Sequence, residues 1–191
     1  MKHLLRAVLL SGLLVSCESP APQPTKGDAG DRAQANVGST GIWENGRYAD
    51  ELGQTSDREC IRNKDIIAGS FSNASTLNSP LSVRFLIFNP TSISFQLFEY
   101  GGNNPVKALS PRSYTVSIEE RDGGKPKFRA MNYSDKLAFE KTDAKAVHDI
   151  LMKGGKIQFS IVDDFNAKTQ YQFIIENASG YDEAYKNLTE K

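Results

Sequence analysis

Alternation of apolar and polar residues constrains the fold of this 191-residue chain more than any other feature. In Leu81-Ser-Val-Arg-Phe-Leu-Ile-Phe-Asn89 the side chains of Leu81, Val83, Phe85 and Ile87 share one face, because successive side chains of a strand point to opposite sides. Ile93, Phe95 and Leu97 repeat the period a few residues later. Between the two runs, Asn89-Pro90-Thr91-Ser92 is turn chemistry: Pro fixes its own φ and Asn favours the bend before it. The two runs therefore predict a hairpin. A second follows from Tyr114, Val116 and Ile118, the tight turn Asp122-Gly123-Gly124 and a weaker strand around Lys127 to Met131. A third pairs Ile157–Ile161 with Tyr171–Glu176 across a polar loop holding Asp163 and Asp164, and Ile66 to Phe71 adds a further strand.

Two stretches follow the helical period instead. Asp143 to Gly154 opens on an N-cap candidate, sets Val147, Ile150 and Leu151 on one stripe, and ends on a Gly suited to a left-handed cap. Gly180 to Leu188 spaces Tyr181, Ala184, Tyr185 and Leu188 by three and four, as in a short helix closing over a sheet. The expectation is a mainly β fold, an antiparallel β-sandwich or open barrel of about six to seven strands with two short helices.

The chain begins differently. Lys2 and Arg6 give a basic start, Leu4 to Val15 is apolar apart from Arg6, Ser11 and Gly12, and small Ser16 precedes Cys17; this is the three-part pattern of a secretory leader, too short to span a bilayer as a helix. The tetrapeptide Leu14-Val15-Ser16-Cys17 resembles the lipobox of bacterial lipoproteins. That resemblance implies cleavage before Cys17, acylation of its sulfur and new amino terminus, and a lasting anchor, favouring the outer membrane. Two or three acyl chains hold where one does not, since each buried methylene contributes about 0.8 kcal/mol. From Glu18 to about Gly41 the chain is rich in Pro, Gly and polar residues and cannot bury enough surface to offset its ordering entropy. It reads as a tether with a reach on the order of 25 Å. The expected organisation is a signal peptide over 1–16, a lipidated Cys and flexible tether over 17–41, and one β-rich domain over 42–191, opened by Trp43.

Within that domain, Trp43, then Asp50 and Gly53, then Gly69-Ser-Phe-Ser-Asn-Ala-Ser-Thr76, Lys153 to Ile161 and Asn177 to Leu188 resemble, in order, uncharacterised bacterial envelope proteins and loosely the invasion-associated locus B group. The resemblance implies a mainly β architecture and brings no chemistry with it.

Charge excludes one class of partner. The chain has 23 basic and 23 acidic residues, and removing Lys2 and Arg6 with the leader leaves it near neutral, without the basic footprint that nucleic acid requires. Beyond the leader a single histidine, His148, lies on the expected helix surface, and with Cys17 lipidated Cys60 has no intramolecular partner. It is either buried or available for a disulfide dimer. Two such ligands do not close a zinc site, Asp163 and Asp164 lack calcium-loop spacing and read as solvated charges, and the glycine pairs lack the Lys and Ser/Thr of a phosphate loop. No metal, cofactor or catalytic residue is predicted.

What remains is the hydroxyl-rich stretch Ser70 to Ser79. It offers Ser72 and Asn73 as polar contacts, with Trp43, Phe71, Tyr100 or Tyr133 as stacking partners for a sugar or peptide. The bland counterpart is a connector whose side chains satisfy their own backbone. Exposed strand edges add strand addition as a third mode. The sequence therefore predicts a membrane-anchored envelope lipoprotein that serves as a non-enzymatic binding or structural module for a protein or cell-wall glycan. The alternative is an envelope hydrolase with an unrecognised active site.

Overall fold

All three hairpins form, and they belong to one closed structure. The computed structural model describes residues 39–49, 54–107 and 109–190; the leader, Cys17, the tether to residue 38, Asp50 and Gly53 lie outside the described residues. In chain order the strands are β1 (Trp43–Ala49), β2 (Thr55–Asn63), β3 (Ile67–Ser72), β4 (Ser79–Asn89), β5 (Ser92–Phe98), β6 (Ser113–Glu119), β7 (Lys127–Tyr133) and β8 (Lys136–Phe139). Helix α1 (Lys141–Lys153), β9 (Ile157–Asp163), β10 (Gln170–Ile175) and α2 (Tyr181–Thr189) complete them.

The sheet runs β4-β3-β10-β9-β6-β7-β8-β5 and closes through β4–β5, an eight-stranded antiparallel barrel with β1 and β2 outside it. This corrects the expectation of six to seven strands in a sandwich or open barrel: ten strands are present among the described residues and the ring is shut. The extra strands have weak signals. β1 carries one large inward residue, Trp43, and is interrupted by Gly46; most of β2 is polar; β8 is only four residues long. Strand pairing and burial from their neighbours hold them extended, overriding local preference.

Residues paired across the ladders share a face, and the inward face is apolar apart from Ser79, Asn132 and Asp163 toward the rim. Phe85, Phe95, Phe159 and Phe173 fill the centre, with Phe159 and Phe173 stacked 4.7 Å apart. An eight-stranded barrel is just wide enough for side chains to fill it, and here they do. Small-molecule sites are therefore sought at the ends or on the outside. The barrel closes tightly at Gly69, where a Cβ would sit 2.4 Å from the Gln172 carbonyl oxygen.

One buried amide resolves a change of partner along β4. Its first half pairs with β3 as far as Val83, opposite Ile67, and its Ile87 pairs with Ile61 of β2, which leaves Phe85 between the two. Asn63 bridges the gap: its Oδ1 accepts the Phe85 N–H at 2.7 Å and its Nδ2 donates to the Val83 carbonyl at 3.2 Å. Backbone groups that would otherwise be buried without partners are thereby satisfied.

The registers also define two unlike ends. At one lie the ends of β8 and β10, the start of β9 and both helices. Helix α1 starts earlier than predicted, with Glu140 at the N-cap; Asp143 sits in the first turn, where its carboxylate accepts the Arg129 N–H at 2.6 Å. Gly154 ends the helix at φ 67 and ψ −165, a positive-φ conformation that suits glycine but is not the left-handed helical cap expected. Here Trp43 donates from Nε1 to the Ala178 carbonyl at 3.0 Å and packs edge-on against Phe85 and Tyr181. Gly180 makes the junction possible, since at φ 88 a side chain there would lie 2.4 Å from the carbonyl carbon of Thr40. The described chain thus enters at the helical end. The other end is a rim of four connections: 73–78, 99–112, the turn at 134–135, and 164–169.

Candidate functional site

Seven large apolar side chains are exposed among the described residues, and five of them stand on the rim. Leu77, Tyr100, Leu109, Tyr133 and Phe165 are between 59 % and 95 % exposed; only Ile66 and Met152 lie toward the helical end. The rim residues come from all four connections or their edges, so the barrel gathers residues that are up to 88 positions apart in sequence. Scattered single exposures are ordinary on a protein surface, whereas grouped ones mark interaction sites.

Their loops are fixed by side-chain bonds to backbone. Asn73 accepts from the Ser75 and Thr76 amides at 2.8 and 3.1 Å, and Asn104 donates to the Asp135 carbonyl while accepting from the Val106 amide. Asn132 accepts the Arg112 N–H at 2.7 Å and donates to the Ser110 carbonyl. Asp163 accepts from Phe165 and Asn166 and pairs with Arg112 at 3.4 Å. Asp163 is thus buried, which corrects its reading as a solvated charge. Asp164 is the exposed member; hydrogen bonds from the Ser113 and Thr115 hydroxyls, both 2.7 Å, hold its carboxyl below the usual range. Beneath the loops, buried Tyr114 and Tyr171 close the mouth of the barrel, and burial pushes both phenols upward. Burial likewise raises Glu99, against hydrogen bonds from Asn103 and Tyr171.

The predicted contact residues divide in two. Trp43 is fully buried at the far end from Tyr100, with both neighbours aromatic, so it is a core residue and offers no face to a ligand. Phe71 is also buried and serves as a base for Tyr100, whose ring meets it edge-on at 5.4 Å. Tyr100 is exposed, and its hydroxyl donates to Ser79 and lies near Thr76; those bonds lower its phenol pKa. Ser72 accepts the Asn78 N–H at 3.0 Å and, with Asn73, satisfies the loop's own backbone. The stretch 70–79 is thus a self-satisfied connector that displays Leu77 and supports Tyr100.

His148 is not on the helix surface as expected. It is buried, with Nδ1 2.9 Å from the Tyr181 hydroxyl and its ring 4.8 Å from that of Tyr185, and burial lowers its pKa. Cys60 is buried on β2, and desolvation raises its thiol pKa, the opposite of what a nucleophile needs. A disulfide to another chain would need that thiol at the surface. Among the described residues no group of three or more His, Cys, Asp or Glu is placed to hold a metal, and no helix is long and apolar enough to cross a membrane. Barrel closure leaves the outer side of β1 as the sheet's free edge among the described strands, which restricts strand addition to that strand.

A second feature has no counterpart in the sequence reading. Ile61 and Ile87 are paired and face inward, so Cys60 and Phe88 face outward, with Tyr48 and Arg58 on the same side. The β1–β2 ribbon turns this face over β5 and β8. Tyr48 donates to the Asp135 carboxylate at 2.9 Å, Gln96 donates to the same carboxylate, and Lys136 completes the cluster at 3.1 Å. Ser94 and Gln96, on the outward face of β5, are buried in consequence. Beside the cluster is a groove of about 360 Å³ lined by Tyr48, Arg58, Phe88, Ser94, Tyr133 and Lys136. The only sequence signal was polar residues in a strand that reads as half-exposed.

Comparison with protein-family models, with curated proteins and with solved structures finds no match for this chain.

Proposed function

We propose that this chain is a lipid-anchored envelope protein, tethered through Cys17 in the outer membrane, whose barrel captures a protein partner on its rim. The observation that carries the reading is the grouping of Leu77, Tyr100, Leu109, Tyr133 and Phe165 on loops held by their own Asn and Asp side chains. Loops fixed before binding lose less entropy on association, and aromatic and leucine tips supply apolar area to an interface core. The described chain enters at the opposite end, beside Ser179 and Gly180.

The anchor is tested by mass spectrometry of the mature amino terminus, which is expected to be an acylated Cys17; an unacylated terminus downstream of it contradicts the anchor. The rim is tested separately by crosslinking in intact cells. The wild-type chain is expected to capture a defined partner, and Leu77→Ser, Leu109→Ser, Phe165→Ser together are expected to abolish that capture without lowering the melting temperature. Equal capture by the triple variant overturns the rim reading.

A further inference from the structure

We propose that the outer groove between the β1–β2 ribbon and the β5–β8 wall binds a saccharide bearing a carboxylate. This goes beyond the rim, with which the groove shares Tyr133, and rests on separate observations. The groove is concave because a two-stranded ribbon is folded back over the outside of a closed barrel, and its volume of about 360 Å³ lies toward the lower end of the roughly 300–1,000 Å³ typical of small-ligand clefts.

Its lining has three chemical parts. Phe88 and the 70 % exposed Tyr133 present aromatic surface, which suits the C–H face of a pyranose ring. Ser56 and Ser92 bring hydroxyl groups suited to sugar hydroxyls to the same groove, whereas Ser94 and Thr91 donate theirs to the Leu86 carbonyl and to Asn89. The third part is charge. Lys136 is already neutralised by Asp135, at 3.1 Å, and lies 4.4 Å from the centre of the Tyr48 ring. Arg58 is different: its guanidinium lies 4.8 Å from the centre of the Phe88 ring, and no carboxylate pairs with it among the described residues. A guanidinium stacked on an aromatic face keeps its outward N–H fork available, and that fork matches a carboxylate in bidentate geometry.

The cavity beside α1 makes a useful contrast. It is larger, about 490 Å³, and also cationic, but its Lys153 is paired with Glu120 at 2.6 Å and its Lys156 with Glu176 at 3.0 Å. Both of its lysines are already answered, and no aromatic side chain lines it to stack on a sugar ring. Among the described residues, the outer groove combines a cation without a carboxylate partner with exposed aromatic surface, which the cavity beside α1 lacks.

The test uses two sugars that differ by one carboxylate-bearing substituent, N-acetylmuramic acid and N-acetylglucosamine, with lactate as a control for the acid alone. Each is titrated against the full chain by ligand-observed nuclear magnetic resonance. N-acetylmuramic acid is expected to bind at least about tenfold more tightly than either of the others, the factor that one good charge-assisted contact supplies. Arg58→Gln is expected to erase that preference, and Tyr133→Ala to weaken both sugars several-fold. Both residues are exposed, so the variants should melt with the wild type, and the rim triple variant should bind sugar unchanged. Absence of binding, equal affinity for the two sugars, lactate binding as tightly as the muramic acid, or a preference that survives Arg58→Gln would each overturn the proposal.

Discussion

The two ends of the barrel use similar residues for opposite purposes. At the helical end Trp43, Tyr181 and His148 are buried against one another, and the close approach of Gly180 to Thr40 leaves no room between chain segments. At the rim Tyr100, Tyr133 and Phe165 lie on loops whose polar side chains bond inward while the apolar ones stand in solvent. At the helical end these aromatic residues are structural, while at the rim those on the loops are available and those beneath them, Phe71, Tyr114 and Tyr171, are buried. Residue type alone does not distinguish them.

That contrast can be broken most directly through stability. Trp43→Ala is expected to cost about 3–5 kcal/mol, the usual range for emptying a large buried aromatic, measured by denaturant unfolding; a loss below 1 kcal/mol would mean the helical end is not part of the core. Next comes Asn63→Ala, which strands the Phe85 N–H inside the wall and removes a bond to the Val83 carbonyl. It should cost about 2 kcal/mol and speed hydrogen exchange at Phe85 more than at the flanking amides of β4.

His148 sharpens the comparison through pH. Burial lowers its pKa in the folded chain, below the roughly 6.5 of an unfolded histidine. The folded state then binds fewer protons, so this contribution is complete above about pH 6.5 and is lost as pH falls below it. Wild-type stability should decline between pH 7 and pH 5, and His148→Phe should flatten that part of the curve; identical slopes would place His148 in water. The smallest effect is expected at the rim. Leu77→Ser, Leu109→Ser and Phe165→Ser should each change stability by no more than about 0.5 kcal/mol, and a larger loss would make them packing residues.

Much of the barrel was legible because its strands obey a strict period of two. Leu81 through Ile87, Ile93 through Leu97, and Tyr114 through Ile118 all face inward as the alternation requires. Closure was not legible, because the pairings of β5 with β8, β6 with β9 and β3 with β10 join segments far apart in sequence. Nor was the fate of Trp43: a lone Trp reads as readily as a stacking platform as a core plug, and only its partners Phe85, Tyr181 and Ala178 decide between them. Of the candidate site, Tyr100 and Tyr133 were visible in the sequence and are exposed. Leu77, Leu109 and Phe165 were not, since an apolar residue in a polar loop gains meaning only from neighbours on other loops. The outer groove was hidden for a related reason. Ser94 and Gln96 alternate as solvent-facing residues should, and only the folded-back ribbon buries them.

The claim that the rim is the working end is tested most directly by placing a photo-activated crosslinking residue at Leu109 on the rim and, in a second chain, at Met152 on the helical end. Both positions are exposed, so reactivity alone does not favour either. Irradiation of cells carrying the full-length chain is expected to give a discrete adduct from position 109 and none from position 152. Adducts of equal yield from both, or from position 152 alone, would contradict the account.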